Sequence, residues 1–377
     1  MSSPPHICHL TVLNPLKHSR VYHRLARSQK ELGYRVSILA QGESAVSEGV
    51  ELVGITPFSR LSLRRFLFPL TILPTAKNQR AALYFLHSPE LLFTGLLLKW
   101  WTGAKIWYDV HEDYRVNLQG ATHYPSWLKR PLAWLVRKWE RFARRWLDGV
   151  SYAEDCYDNI LEIPTEKKVI LRNKFSHPVQ AEASPRLTPP RPYLLYTGTI
   201  APDWGLWEAL AVWKQINAIR PVHMVIAGHT HHAELIEELN KRVQQTGLAD
   251  RFQLIGGIEY VPYEQILALI QQCWVGVGLY RPLPHIRGKI PTKFYEFMAH
   301  DRPLLFSDHP EWQAFDQQQQ LGFPHQAEMD WSRLWEKVDQ WEGQHVPADY
   351  SWESEVPSMN ILIERLIGSA ATPLDIS

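Results

Sequence analysis

One stretch, residues 287–299, carries the residue types best suited to hold a phosphorylated ligand. It reads Arg-Gly-Lys-Ile-Pro-Thr-Lys-Phe-Tyr-Glu-Phe-Met-Ala. Pro291 and Thr292 are typical openers of a helix, whose unpaired backbone N–H groups favour an anion such as a diphosphate. Glu296 follows Lys293 by three residues on the same helix face, where its carboxylate could accept hydrogen bonds from two vicinal ribose hydroxyls. A surface helix with a lysine–glutamate pair is the alternative interpretation.

A histidine-rich loop raises the question of a metal. The sequence Gly-His-Thr-His-His over residues 228–232 places His229, His231 and His232 close together. Their spacing fits no zinc pattern and no cysteine is near, so we predict no metal site. We expect the loop to follow a strand and line a ligand pocket.

Strand-like runs rich in branched and aromatic residues must position these groups, and stretches with helical spacing separate the runs. The first series of runs covers residues 6–13, 35–40, 51–55, 83–87, 105–109, 149–152 and 168–171. The second covers residues 193–199, 222–227, 252–255, 274–279 and 303–306. This alternation predicts an α/β protein with two doubly wound parallel sheets, each binding ligands at the carboxyl ends of its strands. Two such lobes would face each other across one central cleft.

The division into domains follows from chain length and one proline-rich segment. The 377 residues suit two domains that each bury a core. Residues 176–192 hold five prolines and no periodic pattern, which is typical of a linker. We therefore predict a first domain over residues 1–175, a second over residues 193–355, and a closing helix over residues 356–377 that could pack back on the first.

The charge is unevenly divided between the two halves. Residues 1–185 carry 25 lysines and arginines against 16 acids, whereas residues 186–377 carry 15 against 23. A basic first half suggests an anionic partner such as a phosphate or a lipid surface, and an ordinary solvated surface is the alternative. The three scattered cysteines, the lack of a secretory signal and the lack of a long apolar run predict a cytoplasmic protein.

Two basic stretches in the first domain could hold the protein at the inner face of a membrane. Residues 129–145 contain seven basic residues against one acid. An apolar stripe of leucine, valine and aromatic residues is predicted to be buried there, leaving a free basic face beside Trp134. Residues 52–89 contain no acid and five basic residues, namely Arg60, Arg64, Arg65, Lys77 and Arg80. The cations predicted on the acceptor or membrane side are Arg20, Arg64, Arg65, Arg137, Lys138 and Arg141.

Several motifs together resemble the retaining glycosyltransferases of family 4, which have the GT-B fold of two Rossmann-like domains. The segment Lys-Ile-Pro-Thr-Lys-Phe-Tyr-Glu-Phe-Met-Ala, followed by Pro-Leu-Leu-Phe-Ser-Asp over residues 303–308, resembles the nucleotide-sugar segment of that family. The sequence Tyr-Asp-Val-His-Glu-Asp-Tyr over residues 108–114 is the most specific of the others. Further similar segments begin at Leu13, His87, Tyr196 and Tyr350, so the resemblance extends over nearly the whole chain.

The resemblance implies transfer of a sugar from a UDP- or GDP-sugar to a polysaccharide, glycoconjugate or lipid-linked acceptor, with retention, no metal and no cofactor. Glu296 would bind the ribose, and His111 would contact the donor sugar across the cleft. A structural ion pair is the alternative for this histidine, which lies among three acids. The catalytic set implied is His111, Lys293 and Glu296. The diphosphate set implied is Gly198, Thr199, Arg287, Lys289, Thr292 and Lys293, and the set near the base or sugar is His229, Gly257, Ile258 and Gly288.

The sequence departs from the family pattern at several charged positions. Gly288 stands where relatives carry a first glutamate, and Thr199 and Trp204 stand where relatives supply an arginine and a lysine or arginine to the phosphates. His18 and Ser88 stand where aspartate is frequent. Losing one preorganised charge-stabilising donor costs about 3–4 kcal/mol of barrier. Arg287, Lys289 and Lys293 lie near enough in sequence to replace the missing cations.

Two functions therefore stay open. The first is a glycosyltransferase, and the second is a nucleotide-sugar-binding protein with degraded catalysis that acts as a partner or scaffold. A GT-B epimerase would need more acid–base groups than the sequence offers. Nucleic acid is not expected as a partner, because no known binding module accompanies the basic charge. The sequence leaves open the donor base and sugar, the acceptor, the linkage and the oligomeric state.

Overall fold

The computed structural model describes residues 3–58, 63–120, 124–176, 192–284, 286–326, 328–341 and 350–369, with backbone alone for residues 63–66. The chain divides into two compact units. The first unit comprises Met1–Ser176 and Trp352–Ser377, and the second comprises His177–Ser351. The predicted linker falls almost wholly outside the described residues, as does the end of the predicted closing helix from residue 370 onwards.

The first unit is built on an eight-stranded sheet within its described part. Neighbouring strands are parallel except β3 and β4, which are antiparallel, and the order is β3-β4-β2-β1-β5-β6-β7-β8. The strands are β1 (His6–Pro15), β2 (Arg35–Gln41), β3 (Ala45–Ser47), β4 (Val50–Ile55), β5 (Leu83–Leu86), β6 (Lys105–Val110), β7 (Gly149–Tyr152) and β8 (Lys168–Ile170).

Helices cover this sheet and connect its strands. They are α1 (Arg27–Glu31), preceded by a π-helical turn Val21–Ala26, then α2 (Leu63–Thr71), α3 (Leu73–Asn78), α4 (Leu92–Thr102), α5 (Tyr114–Gly120) and α6 (Ser126–Ala143). All four residues of β5 are buried, as are five of six in β6. Strands covered on both faces read as continuous apolar runs, which explains why the sequence revealed them.

The second unit is built on a six-stranded parallel sheet of order β11-β10-β9-β12-β13-β14. Its strands are β9 (Tyr193–Thr199), β10 (His223–His229), β11 (Phe252–Gly257), β12 (Val275–Gly278), β13 (Leu304–Ser307) and β14 (Gly322–His325). Its described helices are α7 (Leu206–Asn217), α8 (Ala233–Thr246), α9 (Tyr263–Gln272), α10 (Thr292–Ala299), α11 (Pro310–Gln319) and α12 (Trp331–Asp339). The predicted fold class, two doubly wound α/β units, is thus confirmed.

The chain returns to the first unit at Trp352, a few residues before the predicted boundary. The indole N–H of Trp352 donates to the hydroxyl of Ser28 over 2.8 Å, and its ring is buried with Met359 in the first-unit core. Helix α13 (Val356–Ile367) follows. Glu355, at the start of this helix, lies 2.7 Å from the ammonium of Lys174. An aromatic anchor and a largely buried ion pair therefore fix the returning segment.

Candidate functional site

Three glycines lie side by side near the carboxyl ends of β9, β10 and β11. Gly228 is in register with Gly198 on one side and Gly256 on the other. A Cβ atom on Gly228 would lie 1.8 Å from the carbonyl oxygen of Gly198, and one on Gly256 would lie 2.4 Å from that of Gly228. Gly198 and Gly256 also have positive φ angles of 92° and 87°. We call these three residues the glycine row. Gly198 and Gly256 are exposed and Gly228 is buried between them, so the row exposes backbone at its two ends, at the sheet edge where such folds bind ligands.

An aromatic platform borders the glycine row. The ring of His229 stacks on the ring of Tyr260 with centroids 3.9 Å apart. Burial, together with the neighbouring His231, lowers the pKa of His229, so its imidazole is neutral at pH 7. Ile258 is exposed beside the buried Gly257. A flat neutral surface with an exposed aliphatic neighbour suits an aromatic base, and Tyr260 was not among the residues predicted from sequence.

Helix α10 begins at Thr292, as predicted, and no described side chain caps it. The side chain of Lys293 is buried, and its ammonium donates to the carbonyl oxygen of Thr197 over 2.8 Å. The same ammonium lies 4.9 Å from the ring centroids of Tyr196 and Tyr280. Burial lowers the pKa of Lys293 to about 8. This contact joins the first turn of α10 to the end of β9, next to the glycine row.

Glu296 lies one turn further along α10 and is also buried. Its Oε1 accepts a hydrogen bond from the hydroxyl of Tyr263 over 2.9 Å. Tyr263 opens α9, which begins a few residues after the aromatic platform. The tyrosine hydroxyl thereby orients the carboxylate, and a carboxylate has further lone pairs that can accept from a second donor.

The loop before α10 borders a cavity of about 420 Å³. Arg287 and Gly288 line it together with Glu311 and Trp312 from α11. Gly288 has a φ of 77°, a conformation that a side chain rarely adopts. The Arg287 side chain is 83% exposed and lies 4.0 Å from Glu311, while the indole of Trp312 donates to the carbonyl of Lys289 over 2.7 Å. The loop is therefore held by its backbone and leaves Arg287 extended into solvent.

The turn after β9 has Thr199 and Trp204 at the two positions where the resemblance would place cations. Thr199 is exposed, and its carbonyl accepts from the hydroxyl of Tyr196 over 2.7 Å. The ring of Trp204 packs edge-on against Tyr280 at 5.2 Å. Gly205 follows with a φ of 79° and opens α7, and its Cβ would lie 1.8 Å from the carbonyl of Leu279. Backbone packing, not charge, shapes this turn.

In the first unit the structure differs from the sequence prediction at Arg20. We expected this residue on the acceptor or membrane side, but its side chain is 3% exposed. The guanidinium donates to both carboxylate oxygens of Asp109, over 2.8 and 2.7 Å, and to the carbonyl of Leu171. The ion pair holds the pKa of Asp109 well below its usual range despite the opposing effect of burial. Arg20 is therefore a buried structural cation, unavailable to a surface ligand.

His111 lies just after β6, where the sequence placed it. Its Nε2 lies 3.3 Å from the hydroxyl of Tyr114 and its Nδ1 lies 3.9 Å from Asp109. Burial lowers its pKa, and Asp109 opposes that shift only in part. The imidazole is thus neutral at pH 7 and still 14% exposed, so it can present a hydrogen-bonding nitrogen without a charge.

His87, Asp109 and His111 bring three potential metal-ligand atoms within 4.8 Å of one another. These atoms are largely committed to protein contacts. Asp109 is paired with Arg20 and also accepts from Ser151 over 2.6 Å. The two ring nitrogens of His87 lie 3.1 Å from Asp109 and 2.9 Å from His9. The cluster is a hydrogen-bonded network closed by a guanidinium, and that composition does not suit a cation.

Of the three cations predicted on the basic face of α6, two are exposed in the structure. Lys138 is exposed, with its ammonium 5.7 Å from the Trp134 ring. Arg141 is also exposed and lies 3.6 Å from Glu162. The structure corrects the prediction for Arg137, which is nearly buried and pairs with Asp113 over 2.7 Å. The side chains of Arg64 and Arg65, in α2, lie outside the described residues.

The apolar stripe of α6 also differs from the prediction. We expected it to be buried, but Leu135, Phe142 and Trp146 are exposed, as is Trp134 on the neighbouring face. Ala143 is the member of the stripe that is fully buried. Among the described helices, none is both long and apolar enough to cross a membrane.

The residues that sequence analysis missed are Tyr260, Tyr263 and the carbonyl of Thr197, and it included Gly228 only as the first residue of the histidine-rich loop. Gly228 and Gly256 each stand near the end of a predicted strand, which is a signal for close backbone approach that could have been used. Tyr260 and Tyr263 lie in a polar loop and a first helical turn, where no periodicity distinguishes them.

Comparison with known proteins gives a family match and structural relatives. Residues 18–159 match the family described as "Glycosyl transferase 4-like domain". Sucrose-phosphate synthase from Thermosynechococcus elongatus is similar in structure, with a TM-score of 0.67, 16% identity, and coverage of 96% of this chain and 99% of that one. The comparison with curated protein sequences gives no significant match.

Two further solved structures are similar at lower scores. The trehalose-phosphate synthase (UDP-forming) of Burkholderia vietnamiensis has a TM-score of 0.56 and 11% identity, covering 98% of this chain and 97% of that one. HepE of Anabaena, solved in complex with UDP-glucose, has a TM-score of 0.55 and 12% identity, covering 96% of this chain and 98% of that one. The chain therefore has the two-unit GT-B fold seen in glycosyltransferases, and residues 18–159 of its first unit are similar to the glycosyl transferase 4-like domain.

Proposed function

We propose that this chain is a glycosyltransferase that moves a sugar from a nucleoside diphosphate sugar to a glycan, glycoconjugate or lipid-linked acceptor. The observation that carries the proposal is the arrangement at the carboxyl edge of the second sheet. There the glycine row exposes backbone at Gly198 and Gly256, and the ammonium of Lys293 reaches the end of β9 from the uncapped start of α10, the helix that also holds Glu296. Exposed backbone and a helix N-terminus together suit a diphosphate, and a buried oriented carboxylate suits a ribose.

The donor we favour is a UDP-sugar. HepE of Anabaena is described in complex with UDP-glucose, and the Burkholderia enzyme is described as UDP-forming. The platform formed by His229 and Tyr260 has the flat neutral surface that a pyrimidine base can stack on. A guanine base could stack there as well, so GDP belongs in the same titration.

Each candidate residue takes a distinct role in this proposal. Glu296 binds the ribose hydroxyls, while the backbone at Gly198, Thr199 and Thr292 meets the diphosphate. Arg287 and Lys289 supply positive charge from the loop, and Lys293 adds a fixed charge at the end of β9. His229, Gly257, Ile258 and Gly288 border the base or sugar. His111 contacts the transferred sugar as a neutral hydrogen-bonding group.

The chemistry we propose is front-face substitution with retention and without a metal. The departing diphosphate takes up the proton of the acceptor hydroxyl while the new glycosidic bond forms on the same face of the sugar. The protein's main task is then to stabilise the charge that builds on the diphosphate. The chain meets it with oriented backbone N–H groups, the start of α10 and the cations of the preceding loop.

A second candidate is a nucleotide-sugar-binding protein with weak catalysis, serving as a partner in the same process. One specific observation favours it: Thr199 and Trp204 replace the family's two cations, while Lys293 donates to a protein carbonyl. Donor hydrolysis in the absence of acceptor separates the two functions. A transferase hydrolyses its UDP-sugar slowly at a measurable rate, whereas a scaffold binds the donor without releasing UDP.

The test of donor binding is calorimetric titration of the parent protein, Glu296→Ala and Glu237→Ala with UDP and GDP. Glu296→Ala is expected to weaken nucleotide binding by about 1.5–3 kcal/mol, the range for a hydrogen bond to a charged group. Glu237, an exposed glutamate on α8, is the matched control and should leave the affinity unchanged. Equal affinities for parent and Glu296→Ala would show that the ribose lies elsewhere.

The acceptor side of the proposal places the first unit at an anionic membrane surface. Exposed cations on and just after α6, including Lys138 and Arg141, stand beside exposed aromatic side chains. Each basic residue near anionic lipid contributes about 1 kcal/mol, and tryptophan favours the interfacial layer. Flotation with phosphatidylglycerol vesicles, compared with phosphatidylcholine vesicles, tests this placement.

A further inference from the structure

An apolar groove in the first unit has no part in donor binding. It has a volume of about 370 Å³ and lies between α5 and α6. Leu118 of α5 and Leu132, Val136 and Trp139 of α6 form its walls, and Tyr114 lines it as well. Leu135 also lines the groove and is 57% exposed, so the groove opens to solvent along α6.

The groove is lined by few polar side chains, namely Glu90, Tyr114, Tyr124 and Trp139, and two of them are paired with protein carbonyls. The indole N–H of Trp139 donates to the carbonyl of Pro89 over 3.2 Å. The hydroxyl of Tyr114 donates to the carbonyl of His87 over 3.0 Å. A peptide lying in the groove would lose water from its backbone N–H and C=O groups and find few replacements. A hydrocarbon chain has no such groups to satisfy, so the walls favour a hydrocarbon.

The lining of the groove contacts His111, which belongs to the site already described. Tyr114 lines the groove, and the same hydroxyl lies 3.3 Å from Nε2 of His111. A chain seated in the groove would therefore carry its polar head towards His111, at the carboxyl edge of the first sheet. In the proposed function, His111 is the residue that contacts the transferred sugar.

The exposed part of α6 has the charge of a surface that meets phosphate-bearing lipids. Arg130, Lys138 and Arg145 are exposed on or just after α6, and the acid within the helix, Glu140, is buried. Glu162 offsets part of this charge through Arg144, at 2.7 Å. The exposed aromatic and aliphatic side chains along the helix are Trp127, Trp134, Leu135, Phe142 and Trp146. Cations interleaved with tryptophans match an anionic bilayer in both charge and apolarity.

We infer that the groove between α5 and α6 binds the hydrocarbon chain of a lipid-linked phosphate acceptor presented at an anionic bilayer. The inference rests on the proposed function, because it makes the lipid the substrate that receives the sugar. The chain enters past Leu135, the walls formed by Leu132, Val136 and Trp139 contact it, and its head group lies near His111. Glycosyl transfer to a soluble sugar would leave the groove without a role.

The test uses the full chain and farnesyl phosphate, titrated by calorimetry beside geranyl phosphate and inorganic phosphate. Each additional buried methylene tightens binding about fourfold, so farnesyl phosphate should bind at least about tenfold more tightly than geranyl phosphate. Val136→Trp, which fills the groove, should raise the Kd for farnesyl phosphate at least about tenfold. Val46→Trp, at an exposed valine on β3, is the matched control and should bind like the parent.

Leu132→Gln provides a second variant that makes the groove polar with little change of volume, in case Val136→Trp folds poorly. Equal affinity for farnesyl and inorganic phosphate, or unchanged affinity in both groove variants, would overturn the inference. UDP titration of the same preparations keeps the two proposals apart. If the parent binds farnesyl phosphate but does not bind UDP, both the donor-binding proposal and the acceptor role of the lipid are refuted. The groove would then still be a hydrocarbon-binding site.

Discussion

The pH dependence of UDP binding gives a direct test of Lys293. Burial lowers the pKa of this lysine to about 8, and its ammonium lies against the carbonyl of Thr197, next to the glycine row. A diphosphate bound at the glycine row would interact favourably with the protonated form and much less with the neutral form. UDP affinity should therefore fall as the pH rises through 8, because the cation is lost in the free protein.

The size of the effect follows from the titration of one group. With a pKa of about 8, the protonated fraction of Lys293 is about 0.9 at pH 7 and about 0.1 at pH 9. If the protonated form alone contributes to binding, the Kd for UDP rises about tenfold between these values, or about 1.4 kcal/mol. An exposed lysine would stay charged over the whole range and would produce no such change.

The assay is calorimetric titration of UDP at several pH values from 7 to 9 with the parent, Lys293→Met and Lys241→Met. Lys241 is exposed on α8 and serves as the matched control. Lys293→Met should bind UDP more weakly at pH 7 and show little further loss at pH 9. Ionisation of UDP affects all three proteins equally, so it cancels when the Kd of a variant is divided by the Kd of the parent at the same pH. If the ratio of the two Kd values for UDP, parent to Lys293→Met, stays constant from pH 7 to 9, the reasoning is refuted.

Three further predictions concern the framework of the two units. Gly228→Ala should lower the free energy of unfolding in urea by about 1–3 kcal/mol and weaken UDP binding, because the added Cβ would meet the Gly198 carbonyl at 1.8 Å. The control is Gly278→Ala, whose Cβ would make ordinary contacts from 3.4 Å and should cost less. Burial raises the pKa of Glu140 from 4.5 to about 7, so the folded state favours its protonated form. This group alone should therefore lower the free energy of unfolding by about 3 kcal/mol as the pH rises from 4.5 to 7. Urea titrations over this range should show that loss reduced in Glu140→Gln, and equal slopes would contradict it. Arg20→Met should cost about 3–5 kcal/mol in the same assay, because it leaves the buried Asp109 carboxylate uncompensated, whereas Arg35→Met breaks a solvent-exposed pair with Glu51 and should stay within about 1 kcal/mol.

The architecture was predictable because buried parallel strands have a simple sequence signature. Runs such as Leu83–Leu86 and Leu304–Ser307 are nearly continuous apolar segments, and the helices between them are amphipathic. The sequence did not reveal β3 and β14. The first is a three-residue edge strand with two exposed residues, and the second contains Pro324 and has no fully buried residue. Edge strands this short do not need the apolar alternation that identifies longer ones.

The sequence predicted only those parts of the candidate donor site whose residues are close together along the chain. The opening of α10 at Thr292 and the placement of Glu296 on that helix follow from local rules of helix initiation and spacing. The partners of Lys293 and Arg20 do not, because Thr197 and Asp109 lie 96 and 89 residues away in the chain. Only the sheet topology brings such groups together, so no local pattern could show that these two cations are buried.

Burial of Lys293 changes how the chain must stabilise a diphosphate. Lys293 is fixed and already donates to a carbonyl, Thr199 carries no charge, and Arg287 is 83% exposed and therefore screened by solvent. An exposed cation contributes about 0–1 kcal/mol to an ion pair, whereas an oriented donor in a water-excluded site contributes about 3–4 kcal/mol to a transition state. The backbone of the glycine row and the start of α10 must then provide most of the stabilisation, unless ligand binding buries Arg287. Arg287→Ala consequently distinguishes the two arrangements, because it should slow donor hydrolysis by more than about tenfold only if the arginine becomes buried against the phosphates.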